Sequence, residues 1–587
     1  MRSNPQPALV FAGIFVVFFL LHAPLLHLPY FWDEAGYYIP AARDLFLSGT
    51  LIPHTTVSNA HPPLVMAWIA LWWHCFGYAP AVARSAMIVI ASFSLWGVFR
   101  LAEKVANTSV AVGATVCTGL YPVFFAQSSL AQVDLAAAGL TMWGLVAHIE
   151  RRRSATAIWF SLAVLAKETA ILAPIALAVW ELAGRFVAKN VRLGRLWQTG
   201  TPRSDLQRIL PLTISVLPLV CWYGYHYART GYVLGNPEFF RYNVAATLNP
   251  LRFALAFMLR LWQAFGYLHL WFLTGGMLLA MLLPPVRDGD IERPRISIPD
   301  QATFFVVIAA YVFAMALIGG AVLARYLLTA IPLVIILGVS TLRRRLRYWI
   351  ITVAAVAAAF VIAWFWNPPY GFSPEDNLAY RDYVTLHQSA ERFLEARYPM
   401  ARVLTAWPAS DELTRPWLGY VTRPMRVVRI ENFSLEQLLS AADFRSNFDV
   451  ALVFSTKYEP THPLLENWAT WTRLKERFFG YERDLPPEIA ARFLGGKIAF
   501  AEERRGQRVA VVELERNEVF NAANSGGRVS DYCTANGSGQ LLNAYVASKA
   551  EWAKENSREG IRGSRAGSVA GIQRFATDDY CTSFSFW

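Results

Sequence analysis

Apolar runs long enough to cross a bilayer recur along the first 366 residues, and this recurrence limits the fold more than any other feature. A transmembrane helix needs about 20 predominantly apolar residues. The chain is 55% hydrophobic and only 16% charged, with a mean hydropathy of +0.31. The runs lie near 8–28, 81–102, 108–126, 130–149, 155–170, 171–187, 209–228, 267–285, 302–320, 326–341 and 348–366. The sequence therefore predicts an α-helical polytopic membrane protein with about eleven transmembrane helices.

The segment HPPLVMAWIALWWHCFG (61–77) decides the topology. Its apolar part is too short for a crossing. If it does not cross, the basic clusters all fall on one side, which the positive-inside rule makes cytoplasmic. These clusters are Arg100/Lys104, 151–153, Arg185/Lys189/Arg192/Arg195, Arg287/Arg293/Arg295 and 343–345. We therefore predict that 61–77 is a juxtamembrane helix on the outer face, and that 29–63 is also extracytoplasmic.

The net charge of +12 raises the question of nucleic-acid binding. The Lys and Arg residues lie in short loops between apolar runs, where they set topology and meet anionic lipid headgroups. We predict membrane lipids as partners and no nucleic acid.

Ionisable residues of both signs approach the outer face in or beside predicted spans. They are Asp33 and Glu34 in PYFWDEAGYY, His61, Asp134, Lys167 and Arg325. Such residues cost roughly 2.5–3.5 kcal/mol each on insertion scales, so intramembrane charges usually mark a functional site. We predict that Asp33, Asp134, Lys167 and Arg325 gather in one pocket.

Each residue also has a plain structural interpretation. Asp33-Glu34 would be a solvated loop, Glu34 would orient the following helix, and His61 and Asp134 would mark helix starts. Lys167 would pair with Glu168, and Arg325 would reach towards headgroups. His61, Tyr37 and Tyr326 are candidate substrate-binding residues, although interfacial tyrosines are more often membrane anchors.

After Trp366 the composition changes. We predict a breaker-rich linker at 367–377, an extracytoplasmic α/β domain at 378–516 and a poorly ordered polar tail at 517–587. In the α/β domain, AYRDYVTLHQSAERFLEARY and SLEQLLSAADF have helical patterns. ARVLTAWP, MRVVRI and FDVALVFS are predicted strands, and GKIAFAEERRGQRVAVVELE a hairpin.

The order of these motifs resembles the GT-C superfamily of membrane glycosyltransferases, in its protein-mannosyltransferase-like branch, which includes the aminoarabinose transferases acting on lipid A. The motifs are Asp-Glu after the first span, AARDLFLSGTLIPHTTVSNAHPPL, QSSLAQVDLAAAGL, SLAVLAKETAILAPIAL and ARYLLTAIPLVIIL. The resemblance covers roughly residues 8–366. Gly36 and His61 depart from the aminoarabinose transferases, which typically have Arg and Lys there, so the donor sugar is left open.

The resemblance implies transfer of a sugar from a polyprenyl-phosphate carrier to an acceptor at the outer face of the membrane. The acceptor is left open between a protein, lipid A and a glycan, and the compact loops favour a bacterial inner membrane. Asp33 matches the catalytic acid, with Glu34 as its neighbour, and Asp134 matches a second acidic position. Lys167 and Arg325 match basic residues suited to the carrier phosphate.

Three points stay open at this stage. The ligand set Asp33, Glu34, Asp134 and His61 would suit Mg²⁺, Mn²⁺ or Zn²⁺, and relatives differ in using a metal. A lipid or glycan flippase is one rival function, although the charges gather at one face rather than at the midplane. The other rival is an oligosaccharide transferase or polymerase that uses a diphosphate-linked donor.

Overall fold

Two regions of different secondary structure follow one another along the chain. The computed structural model describes residues 7–190, 202–235, 249–318, 320–460, 463–464 and 468–515. The first region is helical and the second is built around a five-stranded sheet. The predicted tail at 517–587 and the basic residues Arg192 and Arg195 lie outside the described residues.

The helices of the first region form a bundle around one apolar core. Its longer helices are Pro7–His22, Pro80–Val105, Thr108–Leu120, Asp134–Ile149, Arg153–Ala166, Leu172–Asn190, Pro202–Ile214, Leu217–Thr230, Pro250–Phe265, Leu270–Met281, Ile298–Leu317, Ile331–Arg345 and Trp349–Phe365. Leu64–Phe76 also belongs to the longer helices, and the shorter ones are Ile39–Ser48 and Pro122–Gln127. Among the described residues, five helical stretches are long and apolar enough to span a membrane: Ala8–Leu25, Pro80–Val105, Gln207–Thr230, Pro250–Met281 and Ile298–Leu317. The predicted polytopic helical membrane fold is confirmed.

The segment 61–77 forms the helix Leu64–Phe76, which has 13 residues. That length rises about 20 Å at 1.5 Å per residue, short of a bilayer core of about 30 Å. Pro63 precedes its first turn, where a missing backbone N–H costs little.

Helix Pro250–Phe265 was not among the predicted spans, which is an error of the sequence analysis. It carries Arg252, Arg260 and Gln263 on a buried face, and these polar residues lowered its apparent hydropathy. The chain then kinks at Leu268 and His269, where φ is 44° and 69°, before helix Leu270–Met281. Because Arg252 and Arg260 contact the segment 315–323 that precedes Arg325, the helix lies at the same end of the bundle as Arg325.

The opposite end of the bundle collects the basic loops. Lys104 lies 4.0 Å from Glu150, and Arg293 donates a hydrogen bond to the carbonyl of Arg343 (2.9 Å). Acidic and basic side chains from several interhelical loops therefore meet at that end.

Within the first region, strands β1 (Arg287–Asp288) and β2 (Ile291–Glu292) form a short antiparallel pair. The sheet of the second region contains strands β3 (Arg402–Ala406), β4 (Arg426–Ile430), β5 (Val450–Phe454), β6 (Gly496–Arg504) and β7 (Gln507–Leu514) in the order β4-β3-β5-β7-β6. Strands β4, β3 and β5 are parallel, and β7 runs antiparallel to β5. Every residue of β5 is buried, as expected for a central strand covered on both faces. The helices of this region are Ala379–Arg397, Ala409–Thr414, Leu435–Asp443, Ala469–Phe479 and Pro487–Leu494.

The hairpin of β6 and β7 turns through Arg505 and Gly506, with φ of 46° and 81°. Two consecutive positive φ values are typical of a two-residue type I′ turn. All three predicted single strands and the hairpin are present within one or two residues of their predicted positions.

Candidate active site

Asp33 lies where the first long helix has ended and the chain turns back over the bundle. Trp32 has a φ of 47°, an uncommon conformation for a non-glycine residue. Its indole ring packs edge-on against Tyr383 (5.4 Å) and Trp407 (5.3 Å) of the sheet-containing region. A π-helical turn, Glu34–Tyr38, follows Asp33. The aromatic residues around the acidic pair therefore fix the backbone that presents Asp33.

Glu34 faces inward and is fully buried. Its carboxylate accepts hydrogen bonds from the backbone N–H groups of Phe31 (2.8 Å) and Ala131 (2.5 Å). The buried guanidinium of Arg84 lies 3.3 Å from the same carboxylate. Arg84 also donates to the carbonyls of Pro29 (2.6 Å) and Ser129 (2.9 Å). Glu34 and Arg84 thus join the turn before Asp33 to the segment before Asp134.

Arg325 connects three carboxylates. Its side chain is only 3% exposed. One terminal nitrogen lies 2.5 Å from Asp33 and the other 2.6 Å from Glu375, while Nε lies 3.5 Å from Asp134. Gln132 also accepts a hydrogen bond from Arg325 and donates one to Glu375 (2.8 Å). Arg325 is therefore directed into this cluster and not towards lipid headgroups.

Lys167 completes the cluster. Its ammonium lies 2.5 Å from the Asp134 carboxylate and 4.2 Å from the centre of the Tyr326 ring, within cation–π range. The two cations and three carboxylates of Asp33, Asp134, Lys167, Arg325 and Glu375 form what we call the charge cluster. Asp33 is its most exposed carboxylate, at 14%, against 4% for Asp134 and for Glu375.

His61 and Glu168 form a second pair beside the charge cluster. The His61 Nδ1 lies 2.7 Å from the Glu168 carboxylate, and the His61 ring stacks on Tyr38 at 5.9 Å. The alternative pairing of Lys167 with Glu168 is wrong, since the Glu168 carboxylate faces His61 and Lys167 faces Asp134. Tyr37 contacts the Trp407 ring (6.2 Å).

Glu375 and Asp376 were missed by the sequence analysis, which treated them as part of a linker. Both residues are buried. Burial, with the neighbouring Glu375 charge, raises the pKa of Asp376 to about 8, and the Asp376 carboxyl accepts a hydrogen bond from the Tyr267 hydroxyl (2.6 Å). Burial likewise raises the pKa of Glu375, although Arg325 opposes the shift. Two adjacent acids shortly after the last span were the signal available in the sequence.

A cavity of about 450 Å³ lies between the bundle and the sheet-containing region. Asp376 lines it, next in sequence to Glu375 of the charge cluster. Aromatic and basic side chains dominate the lining, including Trp262, Tyr267, Tyr370, Lys457, Tyr481 and Arg483. Aromatic faces with cationic groups suit a sugar ring that bears an anionic substituent.

The four residues considered as metal ligands do not face one another. Glu34 faces Arg84 and backbone amides, and Asp33 and Asp134 face Arg325 and Lys167. In the described part of the chain, the His and carboxylate atoms that approach within 4.8 Å of one another belong instead to His387, Glu391 and Glu412.

Comparison with known proteins supports the resemblance found in the sequence. Residues 60–197 match the family model described as dolichyl-phosphate-mannose-protein mannosyltransferase. A search of curated proteins gave no match. The crystal structure of ArnT from Cupriavidus metallidurans bound to undecaprenyl phosphate is similar at a TM-score of 0.51 and 14% identity, over 87% of this chain and 98% of that one. The apo ArnT structure is similar at 0.50 and 15% identity, over 89% and 99% of the two chains.

Proposed function

We propose that this chain, a multi-pass membrane protein with the fold of the GT-C glycosyltransferases, moves a sugar from a polyprenyl-phosphate carrier to an acceptor. The acceptor is a protein, lipid A or an envelope glycan. The observation that carries the proposal is the charge cluster, in which buried Arg325 contacts the partly exposed carboxylate of Asp33 and buried Lys167 contacts Asp134. ArnT, which shares the fold, was crystallised with undecaprenyl phosphate.

The two cations would hold the carrier phosphate. Arg325 offers a planar fork of N–H groups that matches phosphate oxygens, and Lys167 adds a point charge. When the bond between the anomeric carbon and the phosphate oxygen breaks, its electron pair goes to that oxygen. Preorganised cations in a site with little water stabilise this developing charge strongly.

Asp33 would act as the general base. Its carboxylate takes the proton of the acceptor hydroxyl while the acceptor oxygen bonds to the anomeric carbon. The products are the glycosylated acceptor and polyprenyl phosphate. Because the acceptor attacks from the face opposite the leaving phosphate, the anomeric configuration inverts.

The remaining predicted residues have supporting roles in this proposal. Glu34 fixes the Asp33 turn through Arg84, so we assign it a positioning role rather than a catalytic one. Asp134 orients Lys167, and Tyr326 packs on the ammonium of Lys167. His61, Tyr38 and Tyr37 border the Asp33 turn.

We place the site at the outer face of a bacterial inner membrane. Asp33, Glu375 and the sheet-containing region occupy one end of the bundle, and the loops rich in Arg and Lys occupy the other. The positive-inside rule then assigns the basic end to the cytoplasm. The aromatic and basic cavity near Asp376 would receive the polar acceptor.

The test offers purified full-length protein in nanodiscs a panel of radiolabelled polyprenyl-phosphate sugars, together with protein, lipid A and glycan acceptors. Label should pass to one acceptor class. The substitution Asp33→Asn should reduce transfer at least about 100-fold, since a general base contributes about 10²–10⁴-fold. The exposed control Asp443→Asn should retain full activity.

Binding of unlabelled polyprenyl phosphate separates the roles, because Asp33→Asn should bind it normally. Transfer only from diphosphate-linked donors would support the oligosaccharide-transferase alternative instead. Lipid movement across the bilayer that survives Asp33→Asn, without any transfer, would support a flippase.

A further inference from the structure

A second buried cluster lies behind the Asp33 turn, in the sheet-containing region. His387 and Glu391 are one turn apart on helix Ala379–Arg397, and Glu412 comes from helix Ala409–Thr414. His387 is 1% exposed and both glutamates are 0% exposed. The His387 Nδ1 lies 2.6 Å from Glu412 and 3.7 Å from Glu391.

This cluster has more negative charge than its surroundings neutralise. Among the described residues, the ion-pair partner of both glutamates is His387. Aromatic rings surround it, with Tyr383 stacked on the imidazole at 3.9 Å and Phe454 at 4.6 Å. Moving ionised carboxylates into such an environment is costly unless they are paired or bind a metal.

The hydrogen bonding of the cluster is also incomplete. Neither oxygen of Glu391 has a hydrogen-bond partner within the described ranges, and the same holds for Oε1 of Glu412. One proton shared between the glutamates would join one oxygen of each and would neutralise one of the two carboxylates. A divalent cation would likewise bind one oxygen of each glutamate, and its two positive charges would neutralise both carboxylates.

We propose that His387, Glu391 and Glu412 bind a divalent transition metal ion, with Zn²⁺ as the best fit. One ligand atom from each of the three side chains lies within 4.8 Å of the other two. Two ligands of one zinc ion, each at about 2.0–2.2 Å, are at most about 4.4 Å apart, so small side-chain rotations bring all three to one ion. One imidazole with two carboxylates suits zinc better than Mg²⁺ or Ca²⁺, which prefer oxygen ligands alone.

The role of this metal is structural, because the cluster supports the Asp33 turn from behind. Tyr383, stacked on His387, packs edge-on against Phe31 (5.1 Å) and Trp32 (5.4 Å). Tyr420, whose ring lies 6.5 Å from that of His387, donates a hydrogen bond to the carbonyl of Tyr30 (3.0 Å). An ion that joins two helices of the sheet-containing region therefore also rigidifies residues 30–32, which precede the catalytic carboxylate.

Metal content is the primary test, and it does not depend on any enzymatic activity. Full-length protein is expressed in zinc-supplemented medium, purified in detergent, passed over a chelating resin and analysed for metals. We expect one zinc per chain in the wild type and none in Glu391→Gln. The control Glu395→Gln, one turn further along the same helix, is only partly buried and accepts hydrogen bonds from Thr422 outside the cluster; it should keep its zinc.

Thermal unfolding of the wild type is the second measurement. It needs no variant, so it still tests the proposal if Glu391→Gln fails to fold. Stripping the wild type with a strong chelator should lower its Tm, and zinc should restore it, because a metal bound only by the folded state stabilises it. The proposal is overturned if the purified wild type contains no metal and its Tm responds neither to the chelator nor to zinc. In that case the shared proton accounts for the cluster, and Glu391→Gln should match the wild type in stability.

Discussion

Arg325 is the residue on which the charge cluster depends. Its guanidinium contacts carboxylates from three separate segments of the chain: the Asp33 turn, the start of helix Asp134–Ile149 and the Glu375 linker. Lysine has one nitrogen and cannot reach three carboxylates in a plane. Retaining the charge while removing the planar fork therefore separates electrostatic attraction from geometry.

We expect Arg325→Lys to fold but to lose transfer at least about 100-fold, the loss typical when one preorganised donor at a reacting charge is removed. Steady-state transfer, measured in nanodiscs once the donor is identified, gives this number. Arg505→Lys, at the exposed hairpin turn, is the matched control. A near-normal kcat for Arg325→Lys would show that transfer needs only a positive charge at this position and not the three contacts of the guanidinium.

The sequence predicts the members of the charge cluster that stand out against apolar surroundings, and it misses those that do not. Asp134, Lys167 and Arg325 interrupt spans, and the topology argument placed them at one depth together with Asp33. Glu375 lies among Pro, Ser and Asn, where an acid looks like an ordinary solvated residue. Glu375 is buried because the linker packs against the bundle, and the local sequence around Glu375 does not predict that tertiary contact.

At the scale of the element, helix Pro250–Phe265 holds the segment that precedes Arg325. Arg260 is fully buried and donates to the carbonyls of Met315 (3.2 Å), Ala321 (3.2 Å) and Leu323 (2.6 Å). Gln263 donates to the carbonyl of Val322 (2.7 Å). The polar residues on the buried face of this helix supply the hydrogen bonds that the irregular backbone before Arg325 requires. The same residues lower the hydropathy of the helix, so the sequence pattern did not predict it.

We expect Arg260→Met to destabilise the protein by several kcal/mol, since each buried carbonyl left without a donor costs about 1–3 kcal/mol. Its Tm in detergent should fall clearly, and transfer should fall further than the loss of folded protein explains. Met258→Ala, at a side chain 58% exposed on the same helix, controls for helix substitution. An unchanged Tm would mean that these carbonyls find other donors.

The π-helical turn after Asp33 requires a glycine. A Cβ added at Gly36 would lie 2.6 Å from the Trp407 ring, and that ring packs edge-on against Trp32. We expect Gly36→Ala to displace the indole, move Asp33 and reduce transfer about tenfold, which corresponds to about 1.4 kcal/mol. Gly13→Ala, where a Cβ meets no atom within 4 Å, is the matched control. Equal activity of the two variants would contradict the proposal that the Trp407 ring, through its contact with Trp32, fixes the position of Asp33.

At the scale of the whole molecule, the sheet-containing region is joined to the bundle at the site itself. Tyr420 contacts the Asp33 turn, Glu375 contacts Arg325, and Asp376 accepts a hydrogen bond from Tyr267 of the bundle. The sequence predicted the sheet correctly, because its strands have regular apolar patterns. It could not predict this junction, because contacts between residues 50 to 390 positions apart leave no periodic signal.

The junction makes the stability of the protein depend on pH. The pKa of Asp376 is raised to about 8 by burial, whereas an unfolded Asp titrates near about 3.9. Between these values the folded state holds a proton that the unfolded state has released, so stability falls as pH rises. The slope from this single group is about 1.4 kcal/mol per pH unit, and the loss of stability stops above the pKa of the folded state.

The Tm of the wild type should therefore fall between pH 6 and pH 8. Asp376→Asn retains the acceptor for Tyr267 but cannot ionise, so its Tm should fall less over the same interval. Parallel curves for the two proteins would show that Asp376 is ionised in the folded state, and that the Tyr267 hydroxyl and the nearby cations stabilise its charge.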